Sequence, residues 1–491
     1  MIRQSQHMTS VKNFEAAALL KAQRNLYVTV LACMLVGFLV FMVEVAGTQI
    51  LVPWGFALIV VLAFCKLLKW WIKFPVGSYR FALLSFFSLS MIGLLLAANF
   101  QSLYGINFGP HGDDSKYYCY IVNLTNNIQT RPLTLYEHLM SYWYRLLSII
   151  IGQPRGIDLL PLNWTFGAMV AVLAFELANQ VSGRRCSPLL AFLAIIGNCI
   201  FSNSVVLLYR DGLMLVFYLV AFVAAFKKDY LIAIIAVLLC AMIRTANAGI
   251  ALFAIVCIFL SRDRCVRRTP VLIILLCMLL ITSVLIVDRY SYLGTYLRTL
   301  ASGNLQETKT TIIEQASTRA TKYMERSNLS SRDATVAAYK MGPARYVLMP
   351  VLTLFSPFKF NSLVTETEAH IVHAGGMDVF HVQGMSFETA FKWITIMLWI
   401  VLGPLMVIGI YRSAKGPVFQ KIMLMIFLLA LIGVTFISFQ GRHRCAFIVF
   451  YPTFLSIAWQ NHMSRQCKLC AIILGLIFIL GILVRNFGLL V

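Results

Sequence analysis

"RFALLSFFSLSMIGLLLAANF" occupies residues 80–100, and "FGPHGDDSKYYCYI" follows at 108–121. The first stretch carries a charge only at Arg80, and then runs uncharged for about 20 positions, the length a helix needs to cross a hydrocarbon core. The second gathers Asp113, Asp114, Lys116 and three tyrosines in a chain of which only 12% is charged. An apolar run that ends in an acidic, aromatic segment is the unit from which the rest of the chain can be read.

Runs like 80–100 recur throughout the 491 residues, of which 60% are apolar. A soluble domain of that composition would have no polar surface to present to water. The expected fold is all-α: a polytopic integral membrane protein with about 13 transmembrane helices. Spans are expected at 25–44, 50–68, 80–99, 161–181, 188–207, 212–226, 230–243, 247–260, 270–287, 390–410, 420–438, 445–459 and 470–489. The basic segment 1–24 leads straight into the first span, as an uncleaved signal anchor does.

The net charge of +22 would suit a nucleic-acid partner, but its distribution argues for none. Lysines and arginines cluster in short loops: Lys66, Lys69 and Lys73; Arg184 and Arg185; Lys227 and Lys228; Arg262 to Arg268; Arg412, Lys415 and Lys421; Arg465 and Lys468. With the N-terminus inside, all of these fall on the cytoplasmic side, which is the positive-inside pattern. The 12 cysteines lie mostly in expected spans and inner loops, so no disulfide framework follows. The lone Cys467-x-x-Cys470 is too little to define a metal site.

That orientation sends the remaining polar clusters to the outer face. There the expectation places an external loop at 100–160, followed by spans four to nine within 161–287. It places a large external loop at 288–389, with "ARYVLMPVLTLFSPFKF" re-entrant or broken at Pro350 and Pro357, and the last four spans within 390–491. "TLYEHLMSYWYRLLSIIIG", 134–152, has apolar and aromatic residues at helical spacing and reads as a helix in the headgroup plane.

A carboxylate at the outer membrane edge can act as a general base toward a hydroxyl or hold a divalent cation against a diphosphate. Asp114 and Asp113 are the candidates, although Gly-Asp-Asp-Ser is equally ordinary turn and cap chemistry. Lys116, Tyr117 and Tyr118 stand beside them. In "LLYRDGLML", Arg210 and Asp211 sit between two apolar runs; they form an ion pair, a cap, or a phosphate site based on the guanidinium fork. Arg244 in "IRTANAG" has no carboxylate nearby in sequence, which implies a partner from elsewhere or an anionic ligand. In "FQGRHRCAFIVFYPTFL", Arg442 and Arg444 flank His443, a positive focus with a group able to shuttle a proton near neutral pH. His370-x-x-His373 with Glu366, Glu368 and His381 matches metal-ligand spacing on a helix, without a fixed third ligand. Glu44 and Glu176 are acids within expected spans, and Arg184 is a natural structural partner for Glu176.

With those residues in view, the chain resembles membrane enzymes that build surface polysaccharides. It resembles the GT-C superfamily of polyprenyl-phosphate-sugar glycosyltransferases in "GDDSKYY", in the interfacial segment 134–152, and in "GRHRCAFIVFYP". It resembles the O-antigen and capsule polysaccharide polymerase group in its late external loop and in "GPARYVLMPVLTLFSPF". In typical GT-C enzymes the acidic loop follows the first span, whereas here it follows the third, which favours the polymerase group. The resemblance implies transfer of a sugar or oligosaccharide from a polyprenyl (di)phosphate to a glycan hydroxyl at the outer face of a bacterial inner membrane. It implies Asp114, with Asp113, as base, His443 as proton carrier, and Arg210, Asp211, Arg244, Arg442, Arg444, Lys116, Tyr117 and Tyr118 as the substrate-binding set. The partners implied are the lipid-linked donor, the glycan acceptor, the bilayer and other polysaccharide-assembly proteins; no cofactor is identified. The competing class is a carrier, a flippase or exporter of lipid-linked oligosaccharide or an ion-coupled or other multi-pass transporter, for which repeats and charges near the midplane would be expected.

Overall fold

The computed structural model describes residues 29–30, 32–72, 77–109, 112–128, 134–183, 186–262, 366–373, 376–383, 387–437, 444–459 and 471–480. The expected span 270–287, most of the loop 288–389 including its re-entrant segment, and His111, Arg442, His443, Arg184, Cys467 and Cys470 lie outside these residues.

The described chain is overwhelmingly helical. Among the described residues four helices are long and apolar enough to cross a membrane: Thr48–Ile72, Ser78–Tyr104, Gly156–Ser182 and Phe387–Lys415; a bent pair makes a fifth if taken as one span. Shorter apolar helices pack with them, among them α1 (Ala32–Ala46). These are the helices of a membrane-embedded α-helical protein. Four of the expected spans are thus recovered as long helices, each extended by a few residues at its ends.

The architecture is arranged around α6 (Gly156–Ser182), of which every residue but Gln180 is buried. It is packed between α2 (Leu51–Ile72), α3 (Gly77–Tyr104) and α9 (Asp211–Lys227). Because it does not meet lipid, α6 is free to be the least apolar of the four long helices and to carry Asn163, Thr165 and Asn179. Its start is fixed by Asp158, whose carboxylate accepts from the Arg155 backbone at 2.8 Å and pairs with the Arg155 guanidinium at 2.9 Å. The same guanidinium donates to the Ala46 carbonyl, tying the end of α1 to the start of α6.

The expected single span at 188–207 is two helices, α7 (Pro188–Ile195) and α8 (Cys199–Val206), bent by 72°. The sequence "IGNCIFSNS" explains the break. Asn198 caps α8 by accepting from the Ile200 and Phe201 amides. Thr395 supplies the rest: its hydroxyl accepts from the Cys199 amide at 2.9 Å and lies 3.1 Å from the Gly197 carbonyl. A bend among apolar helices persists only when its freed backbone groups find such partners.

The acidic stretch is a helix and not a loop: α4 (Gly112–Thr125) places Asp113 and Asp114 in its first turn, where carboxylates favour the helix dipole. The expected interfacial helix is α5 (Leu135–Ile151), entered through a Thr134/Glu137 capping box. It buries Tyr136, Met140, Trp143, Tyr144 and Leu147 and exposes Leu139, Tyr142, Leu146 and Ile149, the two-faced pattern its sequence predicts.

α10 (Tyr230–Ala241) and α11 (Thr245–Arg262) follow α9. Beyond the undescribed residues, β1 (Glu366–His373) and β2 (Gly376–Gln383) pair antiparallel, with His370 opposite Val379 and Glu368 opposite His381. The helical fold thus carries a local two-stranded sheet, and His370 and His373 lie on a strand, whose period of two does not match the three-residue spacing that a helical metal site uses.

α12 (Phe387–Lys415) and α13 (Val418–Ile437) lead to α14 (Cys445–Ile448) and α15 (Tyr451–Trp459), the expected span 445–459 being interrupted just before Pro452. α12 and α15 touch backbone to backbone at Gly409, where an added Cβ would collide with the Phe454 carbonyl. α16 (Ala471–Leu480) sets Phe478 against Trp399 of α12.

Candidate functional site

Asp114 is fully buried on the inner side of α4, while Lys116 projects outward and Tyr117 and Tyr118 are half-buried. Only the backbone position of Asp113 is described, in the same first turn. The helix is fixed at both ends. Ser115 donates to the Gly109 carbonyl at 2.7 Å, across a backbone turn with positive φ at Gly109. At the other end Arg145 of α5 donates to the Leu124 and Thr125 carbonyls at 3.4 and 3.3 Å, filling the role of a C-cap. Tyr118 donates to the Pro154 carbonyl at 3.1 Å, and burial pushes its phenol up to about 12.

From α4 a chain of contacts runs inward. Tyr117, one turn after Asp114, sets its ring edge-on to Tyr136 of α5 with centroids 5.8 Å apart. Tyr136 is fully buried, near enough to feel the charge of Asp114, and its phenol is held well above the ordinary value by that burial. It therefore stays a donor, and its hydroxyl donates to Asn163 Oδ1 of α6 at 3.1 Å. Asn163 in turn donates to the Leu207 carbonyl and, at 3.3 Å, to the Tyr209 carbonyl. Trp164 donates to the Val206 carbonyl at 3.1 Å. The turn so held carries "YRDG".

There the structure resolves the question posed by Arg244. Its Nη1 meets Asp211 Oδ1 at 2.8 Å, with side chains 16% and 2% exposed. The partner that the sequence demanded is thus within the chain, and Asp211 pairs with Arg244, not with its neighbour Arg210. Each therefore has a charge partner within the chain. Arg210 sits half-buried just before the first turn of α9. The Leu135 amide at the start of α5 donates to the Met242 carbonyl at 3.4 Å, so the segment that bears Arg244 also touches α5.

On the far side of this pair lies α14. Cys445 is buried, its thiol 3.6 Å from the Ile200 carbonyl of α8 and close to Asp211 and Arg244. Arg444 precedes it, also buried, and lines a small recess with Asn198, Ile200, Trp399, Phe447, Ile448 and Tyr451. The helix break, the Arg244–Asp211 pair and the end of the "GRHR" motif are therefore neighbours, and the acidic helix reaches the same turn through Tyr136 and Asn163.

Two groups of residues were missed by sequence reasoning. Asn163 and Tyr136 lie inside apolar or amphipathic runs, and the only signal was an amide in "PLNWTF". Glu388 and Lys392, paired at 3.0 Å in the first turns of α12 and close to Cys199, carried the signal of two charges four residues apart at a span end. Among the described residues no three His, Cys, Asp or Glu side chains converge as a metal site. Glu176 accepts from Gln180 at 3.1 Å, and Glu44 is exposed.

No protein-family model matches the chain, and no curated protein is detectably similar to it.

Proposed function

We propose that the protein is a membrane glycosyltransferase or polysaccharide polymerase that moves a sugar or oligosaccharide from a polyprenyl (di)phosphate to a glycan hydroxyl. In this reading the chain has about 13 spans in a bacterial inner membrane, and the α4, Arg244–Asp211 and Arg444 region faces the periplasm. One observation carries the proposal: a buried acid on α4 is joined by a short contact chain to a turn that adjoins the Arg244–Asp211 pair and the buried Arg444. Such an arrangement offers a proton acceptor and charge stabilisation for a departing phosphate in one low-dielectric setting. Asp114 takes the proton; Arg444, with Arg442, Arg210 and His443, meets the phosphate; Lys116, Tyr117 and Tyr118 meet the glycan. The Arg244–Asp211 pair supports the turn between α8 and α9 and biases the local field toward neither sign.

A carrier is the second reading, and the 72° break between α7 and α8 favours it, since broken helices mark substrate sites in transporters. Gel analysis of lipid-linked and surface glycans from cells lacking the gene separates the two. Single repeat units accumulating without long chains support the polymerase, and a glycan short of one sugar supports a single-sugar transferase. Full-length glycan held on the cytoplasmic side supports the carrier and removes the catalytic role of Asp114.

A further inference from the structure

Asn163 touches neither the acid nor the arginines, yet it bonds to the path between them. A primary amide has two N–H donors and an acceptor oxygen, and here it uses both kinds at once. Its oxygen accepts the Tyr136 hydroxyl at 3.1 Å, while its nitrogen donates to the Leu207 and Tyr209 carbonyls. Those carbonyls belong to the short link between α8 and α9, where the Leu207 carbonyl also accepts from the Tyr209 amide at 2.8 Å. Asn163 is 1% exposed in the central helix, where an amide is tolerated only because its groups are matched. Tyr209 lies two residues before Asp211, and the Tyr136 ring abuts Tyr117, one turn from Asp114.

We propose that Asn163 is a positioning residue: through Tyr136 and the 207–210 link it holds the acidic helix α4 and the Arg244–Asp211 pair in one geometry. The clamp stands on the hydrogen bonds alone; its use in catalysis rests on the proposed transferase reading. Leucine could make none of these bonds. Aspartate, though isosteric, would turn an oxygen toward two carbonyl oxygens.

The test uses the full-length protein in membranes, with Asn163→Asp and Tyr136→Phe. The first readout is maleimide labelling of native thiols, resolved by residue with mass spectrometry. Cys445 rests on the Ile200 carbonyl of α8, whose C-terminal end Asn163 holds, so its labelling should rise several-fold while that of Cys65 on α2 stays unchanged. Wild-type labelling at Cys445, or an equal rise at Cys65 that marks general loosening, overturns the clamp. The second readout takes as donor the lipid-linked glycan accumulated by the deletion strain. Asn163→Asp should lower kcat on the order of tenfold to a hundredfold with KM for the donor nearly unchanged, the cost of misplacing reacting groups. An unchanged kcat alongside raised Cys445 labelling overturns the positioning role. If the deletion strain shows normal glycans, the transferase reading fails by itself, and the Cys445 readout still decides the clamp.

Discussion

Arg244 and Asp211 are 33 positions apart in the sequence and 2.8 Å apart in the structure. Buried in this way, the pair is costly to break from one side: Arg244→Ala strands a buried carboxylate and should cost about 3–5 kcal/mol. The double change Asp211→Asn with Arg244→Gln should recover a large part of that loss in thermal unfolding of the purified protein. If Arg244→Ala unfolds at the wild-type temperature, the pair has no structural role. Asp114→Asn is nearly isosteric, so it should keep the fold while abolishing long-chain glycan; normal chains from a well-expressed variant remove Asp114 as the base. Tyr118 supplies a pH signature. Burial pushes its phenol from the usual value near 10 up to about 12 in the folded protein, so the folded state favours the protonated form. That contribution is fully present below pH 10 and is lost as pH rises toward about 12, and Tyr118→Phe should flatten this part of the stability profile. At this scale the sequence revealed which residues were costly, because charge in an apolar run is rare. It did not reveal their partners, because pairing across helices leaves no local trace.

Helices differ in how much of their form is local. α5 was legible from the helical spacing of its apolar and aromatic residues, a pattern that depends on residues within one or two turns of each other. The sequence predicts a single span at 188–207, because "PLLAFLAIIGNCIFSNSVV" is apolar enough for a continuous helix. What stabilises the bend comes from 196 positions later, in the Thr395 hydroxyl. Asn198→Ala should therefore cost about 1 kcal/mol through the lost cap, and Thr395→Val more, since it removes the partner of a buried amide. Equal, near-zero shifts in unfolding midpoint for both would mean that the bend does not depend on them. Gly409 makes the corresponding prediction for packing. Gly409→Ala forces α12 away from α15 at the Phe454 carbonyl and should lower folded yield in detergent, with a cost of about 1–3 kcal/mol. Wild-type yield would show that the two helices can separate freely.

For the whole molecule, the central position of α6 organises everything else. A helix enclosed by others can hold polar side chains, and α6 uses Asn163 to hold the link between α8 and α9 beside the candidate site. The proposed orientation puts that end outside the cell. Cys119, exposed on α4, should then react with a membrane-impermeant maleimide added to intact cells; reaction only after the membrane is opened would reverse the topology. Composition and the length of the apolar runs determined the class of protein by themselves, because covering a hydrocarbon core requires about 20 apolar residues and a helix that satisfies its own backbone. They likewise determined that Asp114, Arg210, Asp211, Arg244 and Arg444 had to be accounted for. Only the tertiary structure decided that Asp211 answers Arg244, that Asn163 joins the acidic helix to their turn, and that Arg444 lies beside the α7–α8 break. Those relations depend on which helices stand next to α6, and hydrophobic periodicity specifies that a face is buried without specifying against what.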